Sequence, residues 1–295
     1  MTLELVLYAI AVLGLSALGA ALLTRSGRVA TLVGTGGAVG APVVGGGASL
    51  ASLLGAGGEA SAAASWDVPV GELRVGIDPL SAFFLLCVFT VSGLAAVYGA
   101  GYLRPSGADA RRAGPATALF DLLVAAMAGV VIARDGVLFL LAWEVMSVTS
   151  FFLVTLESER EDVRRAGWTY LVASHAGVVL IILFFALIGR HAGGFSFEAC
   201  AAAGAPPAAG GLFLLALAGF GAKAGFWPLH VWLPDAHPAA PSHVSALMSG
   251  VMIKLGVYGL IRVALDWLGG GPPWWGVAVL LAGAVSAVLG VLYAL

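Results

Sequence analysis

Residues 211–238 read GLFLLALAGFGAKAGFWPLHVWLPDAHP, an apolar run of membrane-spanning length that contains Lys223, Pro228 and Pro234. A transmembrane helix needs about 20 mainly apolar residues. A proline has no amide proton and leaves the carbonyl four residues earlier without its helical donor. Such a break is tolerated at membrane depth only where protein or water satisfies the backbone. The run therefore predicts a helix broken at Pro228 beside a polar cavity, with Pro234 as a second break. Lys223 and His230, seven residues apart, are predicted to share one face.

The composition places the whole chain in a membrane. Hydrophobic residues make up 60% of the sequence and charged residues only 10%, with a mean hydropathy of +1.01. A soluble domain carries about a quarter charged residues. The net charge of −2 gives no basic patch for nucleic acid. Two isolated cysteines form no disulfide framework, and no iron–sulfur, dinucleotide or haem motif is evident. We therefore predict no cofactor in this chain.

Hydropathy predicts an all-α polytopic membrane protein with about nine transmembrane helices. Strand-like alternation is absent from the sequence, and helices are then the remaining spanning structure. The predicted spans are Leu3–Thr24, Ala30–Gly55, Pro79–Leu103, Pro115–Ala133, Gly136–Leu156, Ala166–Gly189, Gly211–Trp232, Ser242–Leu265 and Trp274–Leu295. The polar connections Glu59–Asp78 and Gly189–Gly210 are predicted as loops, and the Gly-rich run Gly34–Gly47 as a close helix contact.

The placement of arginine predicts the orientation, because cytoplasmic loops carry an excess of Lys and Arg. We expect the N-terminus outside a cell (inner) membrane. The cytoplasmic loops then receive Arg25, Arg28, Arg104, Arg111, Arg112, Arg160, Arg164 and Arg165, and the outer loops receive Arg74, Arg134 and Arg190.

Ionisable residues inside the spans are the candidate functional groups. The only two lysines, Lys223 and Lys254, both lie in apolar spans. A charge at the centre of a span costs about 2.5–3.5 kcal/mol, and a buried lysine can take up and release a proton near neutral pH. Glu144 is the matching acid in the fifth span. The alternatives are lysines that reach the interface and a purely structural ion pair at Glu144.

Three histidines extend this set, because histidine titrates near neutral pH. His175 lies near mid-depth in the sixth span, His230 follows Pro228, and His243 is predicted to share a face with Lys254. For each, the alternative is a histidine that only packs or caps. Two other features were interpreted as structural: Asp121 as an interface residue rather than part of a cytoplasmic uptake path, and the pair Arg262 and Asp266 as side chains that reach the interface.

The sequence resembles a known family at these positions. Residues 223–247, KAGFWPLHVWLPDAHPAAPSHVSAL, followed by 253–258, IKLGVY, resemble the proton-conducting antiporter-like subunits of respiratory complex I, Mrp cation/proton antiporters and group 4 hydrogenases. Residues 143–154, WEVMSVTSFFLV, resemble the helix that carries the family's glutamate. Within the family, the run Glu159–Gly167 followed by Tyr170–His175 most resembles hydrogenase-4 component B and the formate hydrogenlyase membrane subunit.

The resemblance implies roles for these residues. Glu144 would pair with Lys223, and their approach or separation would set the proton affinity of the lysine. Lys254 would be the central carrier, and His175, His230 and His243 would connect the axis through water. The family fold has two inverted repeats of five helices. Residues 1–114 would be helices 1–3, 115–266 the proton-conducting core, and 267–295 the first helix of a second, truncated repeat.

The resemblance and the residues leave three hypotheses for function. The first is a proton-translocating subunit of a respiratory NADH–quinone oxidoreductase-like or group 4 hydrogenase complex, with other membrane subunits and a peripheral redox arm as partners. The second is an Mrp-type sodium/proton antiporter subunit, which shares the same core motif. The third is a truncated scaffold that anchors partners and conducts nothing, because the chain stops at Leu295 inside an apolar helix.

Overall fold

A computed structural model describes residues 1–23, 26–56, 58–66, 70–102 and 110–294. Its elements are α1 (Thr2–Leu22), α2 (Gly27–Leu53), β1 (Ala60–Ala64), β2 (Leu73–Ile77), α3 (Pro79–Tyr102), α4 (Ala110–Ile132), α5 (Gly136–Val154), α6 (Glu161–Ala192), α7 (Phe197–Ala203), α8 (Ala209–Ala224), α9 (Leu233–Ala239), α10 (Ser242–Leu247), α11 (Ile253–Ile261) and α12 (Trp274–Ala294). The predicted span ends Thr24, Leu103 and Leu295, the loop residues Arg25 and Arg104, and the side chains of Arg111 and Arg112 lie outside the description.

The all-α polytopic prediction is confirmed. Eight helices in the described residues are long and apolar enough to cross a membrane, and α8 is a shorter apolar helix. The predicted bounds of a span agree well with the observed helix bounds where a capping residue marks the end of the helix. The fifth span was predicted from Gly136, and α5 begins there because Asp135 accepts hydrogen bonds from the backbone amides of Val137 and Leu138 at 2.8 and 3.3 Å. The sixth helix, α6, is longer than predicted.

The two predicted loops contain regular structure. Strands β1 and β2 form an antiparallel hairpin, with Ala60 opposite Ile77 and Ala64 opposite Leu73. Helix α7 lies in the second connection and begins where Ser196 accepts a hydrogen bond from the amide of Ala199. Short alanine-rich strands carry too little alternation to be separated from loop sequence, which explains why the hairpin was missed.

The glycine-rich second helix packs closely against its neighbours, as the sequence predicted. A Cβ atom on Gly37 would lie 2.1 Å from the Oγ atom of Ser16 on α1. On another face, a Cβ atom on Gly45 would lie 2.5 Å from the ring of Phe89 on α3. Small residues allow helices in lipid to approach this closely, since van der Waals packing stabilises helix contacts there.

The seventh span is interrupted, but the break differs in detail from the prediction. Helix α8 ends at Ala224, four residues before Pro228, because Gly225 adopts a left-handed conformation with φ of 78°. A Cβ atom on Gly225 would also lie 2.3 Å from Leu233. Pro234 does not break a helix; it lies in the first turn of α9, where a missing amide proton is tolerated. The His230 carbonyl, predicted to be freed, accepts a hydrogen bond from Leu233 N at 2.8 Å.

The eighth span, Ser242–Trp267, contains two π-helical segments, Met248–Met252 and Arg262–Trp267. A π-helical turn accommodates an extra residue and rotates everything that follows by about 100°. The prediction that His243 and Lys254 share one helix face is therefore wrong. His243 is buried, whereas Lys254 is on a surface that the described residues leave uncovered.

Candidate functional site

Lys223 is at the last turn of α8 and is only 3% exposed. Its Nζ atom donates hydrogen bonds to the Tyr170 hydroxyl at 2.8 Å and to Ser147 Oγ at 3.2 Å. The ammonium also lies 5.0 Å from the centre of the Tyr170 ring, within the range of a cation–π contact. The hydrogen-bond partners of this buried ammonium are therefore neutral hydroxyls on two neighbouring helices.

The Tyr170 hydroxyl connects Lys223 to a second serine of α5. Tyr170 is fully buried, and its oxygen lies 2.5 Å from Ser150 Oγ. The Trp232 ring packs against the Tyr170 ring at a centroid distance of 5.1 Å, and Trp232 Nε1 donates to the carbonyl of Ala222. The segment that follows the break in α8 therefore closes over the lysine and separates it from the surface.

Glu144 contacts His175 in this structure, rather than pairing with Lys223 as the resemblance implied. His175 Nε2 lies 3.5 Å from Glu144 Oε2, and the other ring nitrogen, Nδ1, lies 2.9 Å from the carbonyl of Leu171. The Glu144 side chain is 34% exposed and the His175 side chain 44%. Glu144 and Ser147 are three residues apart on α5. The Glu144–His175 pair therefore lies one helical turn from Ser147, which is a hydrogen-bond partner of Lys223.

The remaining lysine and His230 lie towards the uncovered side of the chain. The Lys254 ammonium donates to the carbonyl of Ser249, inside the π-helical segment. His230 is partly buried, and its ring stacks on Tyr293 of α12 at 5.8 Å. Because α8 ends at Ala224, the predicted common helix face of Lys223 and His230 does not exist.

His243 is separate from the Lys223 site. It is 3% exposed, and its ring lies 5.5 Å from the ring of Phe120 on α4. His243 and Asp121 line one small cavity, and Asp121 is fully buried with its Oδ2 atom within hydrogen-bonding distance of Ser16 Oγ. The interpretation of Asp121 as an interface residue is therefore wrong.

Arg262 was expected to reach the interface and instead is buried, at 6% exposure. Its guanidinium lies 2.6 Å from Asp78 and 2.7 Å from Asp266, and Arg134 contacts Asp78 from another side at 3.1 Å. Burial raises the pKa of Asp78, but the Arg134 and Arg262 guanidiniums and the Ser81 amide outweigh this effect and hold the pKa below its usual value. This cluster joins the start of α3, the α4–α5 junction and the end of the eighth span.

Two partners of Lys223, Ser147 and Tyr170, were missed as functional residues, as was Ser150, which contacts the Tyr170 hydroxyl. Serine and tyrosine are common on apolar helices, and no spacing rule distinguishes a hydroxyl that meets a lysine on another helix. The available signal was spatial: Ser147 is one turn from Glu144, on the face that a paired lysine would approach.

These features define a class of protein: a multi-pass membrane subunit with an interrupted helix, a buried lysine and a nearby carboxylate–histidine pair. The family described as NADH:quinone oxidoreductase/Mrp antiporter, transmembrane, matches residues 133–295. The chain belongs to this family.

Relatives with known names support this membership. The chain is 42% identical to hydrogenase-4 component B of Escherichia coli over 227 residues, covering 76% of this chain and 33% of that protein. It is 34% identical to an NAD(P)H–quinone oxidoreductase chain 4 of Picosynechococcus over 176 residues, covering 59% of this chain and 32% of that protein. The chain thus spans about a third of the length of these relatives.

Solved structures show the same fold. The structure of the Mrp complex from Dietzia sp. DQ12-45-1b matches with a TM-score of 0.80 and 28% identity, covering 98% of this chain and 31% of that chain. An archaeal membrane-bound sulfane sulfur reductase complex matches with a TM-score of 0.76 at 19% identity, covering 94% and 56%, and this match supports the fold alone.

Proposed function

We propose that this chain is part of a proton-translocating membrane subunit of a respiratory NADH–quinone oxidoreductase-like or group 4 hydrogenase complex. The observation that carries the proposal is the position of Lys223. Its ammonium is buried and has hydroxyl partners on α5 and α6, and its α5 partner Ser147 lies one helical turn from Glu144, which contacts His175. The residues involved fall within the predicted core, 115–266.

Lys223 would work by changing partners. In the arrangement described, the ammonium is held by Tyr170 and Ser147, while Glu144 interacts with His175. A movement of the lysine towards Glu144 would replace neutral partners by a carboxylate, which favours the charged form of the lysine. When the lysine returns to the Tyr170 and Ser147 hydroxyls, it loses the stabilisation by the carboxylate. Its proton would then pass through water to the next carrier. His175 competes for the same carboxylate, so protonation of His175 would favour release of Lys223.

The remaining carriers continue the proposed route. Lys254, on the uncovered side of the eighth span, would receive the proton from Lys223 through water, and His230, whose ring stacks on Tyr293, would contribute to the same path. His243 would serve the same axis from the other end of the eighth span. We further propose an inner-membrane location with the N-terminus outside, and partners that comprise other membrane subunits and a peripheral redox arm. Electron transfer in that arm would drive the change of partners.

The test is proton pumping by the full-length protein in its complex, reconstituted in vesicles. Glu144→Gln and Lys223→Met are expected to abolish acidification while partner electron transfer continues. Arg160→Gln is the matched control, because Arg160 is exposed and its ion pairs with Glu157 and Asp162 lie in the turn before α6 and in the first turn of that helix. Normal pumping by both site variants would refute the proposal.

A second candidate is an Mrp-type sodium/proton antiporter subunit. The similarity to the Dietzia Mrp complex, with a TM-score of 0.80, favours it specifically. A pH gradient that forms in vesicles only when sodium is present would support this candidate over the first.

A further inference from the structure

A small cavity lies inside the bundle between α2, α3, α4 and α10, away from Lys223. Its volume is about 20 Å³. A single water molecule requires roughly 10–15 Å³ of such space and two to four polar partners. The polar residues that line the cavity are Thr35, Thr117, Asp121 and His243. The volume therefore accommodates one water molecule in a place where polar groups converge.

Asp121 supplies an unused acceptor at this cavity. The residue is fully buried, and its Oδ1 atom has no hydrogen-bond partner among the described residues. A buried carboxyl oxygen without a partner costs free energy, because it has lost its hydrogen bonds to solvent. A water molecule in the cavity would satisfy it.

The second carboxyl oxygen indicates how the proton of Asp121 is held. Ser16 Oγ is within hydrogen-bonding distance of both Asp121 Oδ2 and the carbonyl of Leu13. A hydroxyl has one hydrogen and cannot donate fully to two acceptors. If Asp121 is protonated and donates to Ser16, then Ser16 donates to Leu13, and both contacts are satisfied.

Two glycines make this arrangement possible. A Cβ atom on Gly37 would lie 2.1 Å from Ser16 Oγ and 3.5 Å from Asp121 Oδ2. A Cβ atom on Gly99 would lie 3.0 Å from the His243 ring. Each glycine thus leaves room for a polar side chain at the cavity, and a larger residue at either position would displace it.

We propose that this cavity binds one water molecule on Oδ1 of Asp121, and that Asp121 and this water form a proton-exchange site beside His243. Rotation of the carboxyl group about its Cβ–Cγ bond would turn the protonated oxygen from Ser16 to the water. Asp121 then releases its proton to the water, and the water passes one of its own protons to the imidazole. The result is a carboxylate, an intact water molecule and an imidazolium, and the reverse transfer restores the starting state. The water site stands on its own geometry; its place on a proton route depends on the proposed function.

Infrared difference spectroscopy on the full-length protein in lipid vesicles tests the protonated carboxyl. Asp121→Asn is expected to remove a carbonyl stretching band that shifts in D2O, and Ser16→Ala is expected to change its frequency. Glu144→Gln is the control and is expected to leave this band in place. If the folded Asp121→Asn protein gives the same carboxylic-acid bands as the wild type, the proposal is overturned.

Two further measurements complement the spectroscopy, and the first of them requires neither a substitution nor transport. A cryo-EM map of the unmodified full-length protein is expected to show one ordered water within hydrogen-bonding distance of Asp121 Oδ1. A protein group bonded to that oxygen in place of water would overturn the proposal.

In pumping assays, Asp121→Asn is expected to slow proton transfer severalfold. If Glu144→Gln pumps normally while the band and the water are present, the proposed function fails and the water site survives.

Discussion

Replacing Tyr170 by phenylalanine removes one hydroxyl from the Lys223 site and little else. The lysine would lose its 2.8 Å hydrogen bond and retain Ser147 at 3.2 Å. The ring, 5.0 Å from the ammonium, would remain. Ser150 would lose its contact with Tyr170 but keep the carbonyls of Met146 and Ser147.

The expected magnitude follows from the bond that is lost. A hydrogen bond to a charged group contributes about 1.5–3 kcal/mol. Each 1.4 kcal/mol changes an equilibrium roughly tenfold. The population in which Lys223 is held away from Glu144 should therefore fall by roughly ten- to a hundredfold. If the proposed exchange of partners requires that state, pumping should slow by a comparable factor.

Tyr258→Phe is the matched control for this experiment. Tyr258 is also fully buried, and its hydroxyl donates to the Val131 carbonyl at 2.8 Å and accepts from Arg262, so it is not a hydrogen-bond partner of Lys223. Both variants should lose some thermal stability, but only Tyr170→Phe should slow pumping in reconstituted vesicles. Equal pumping by Tyr170→Phe and wild type, or equal losses in both variants, would refute the assigned role of Tyr170.

Two further predictions concern stability. Gly37→Ala should lower the unfolding temperature, because its Cβ atom would meet Ser16 at 2.1 Å and overpacking costs about 1–3 kcal/mol. Gly36→Ala, with no atom within 4 Å of the added Cβ, should be neutral or stabilising, and the reverse order would contradict the packing described. Asp78 has a lowered pKa in the folded protein, so its contribution to stability is complete above its unfolded value of 3.8 and is lost as pH falls through the folded value. The free energy of unfolding of the wild type should therefore fall with decreasing pH below about pH 4, and Asp78→Asn should lack the part of this fall that Asp78 contributes. Identical pH dependence in the two proteins would contradict this prediction.

The long apolar helices were predictable because lipid imposes one requirement on every spanning segment. A run such as Gly136–Val154 must satisfy its backbone internally, so length and hydropathy are enough to find it. Asp135 and Gly225 then set the ends of α5 and α8 through capping geometry. The break in α8 was placed at Pro228 because proline is the stronger sequence signal, although glycine with a positive φ ends the helix first.

The composition of the site was predictable and its pairing was not. Rare ionisable residues in apolar sequence indicated Glu144, His175 and Lys223 correctly as buried or half-buried groups. Which acid meets which base depends on helix rotation, and a turn of one residue changes the partner. The π-helical segment before Lys254 shows the same limit, because hydrophobic periodicity does not reveal an inserted residue in an all-apolar helix.

The burial of Arg262 was the largest error of interpretation. A charged residue near a helix end was expected to reach the interface. Instead, the aspartate comes from the start of α3, far away in sequence, and allows the arginine to be buried. Long-range pairs of this kind are not visible in the local pattern of one helix.

A cryo-EM map of the full-length protein in a lipid nanodisc, at a resolution that shows ordered water, tests the central claim most directly. The account predicts a chain of waters enclosed by protein that joins the Lys223 ammonium to Glu144 and His175 and continues to Lys254. Direct packing of apolar side chains between these groups, or acyl chains in contact with Glu144 and Lys254, would contradict it.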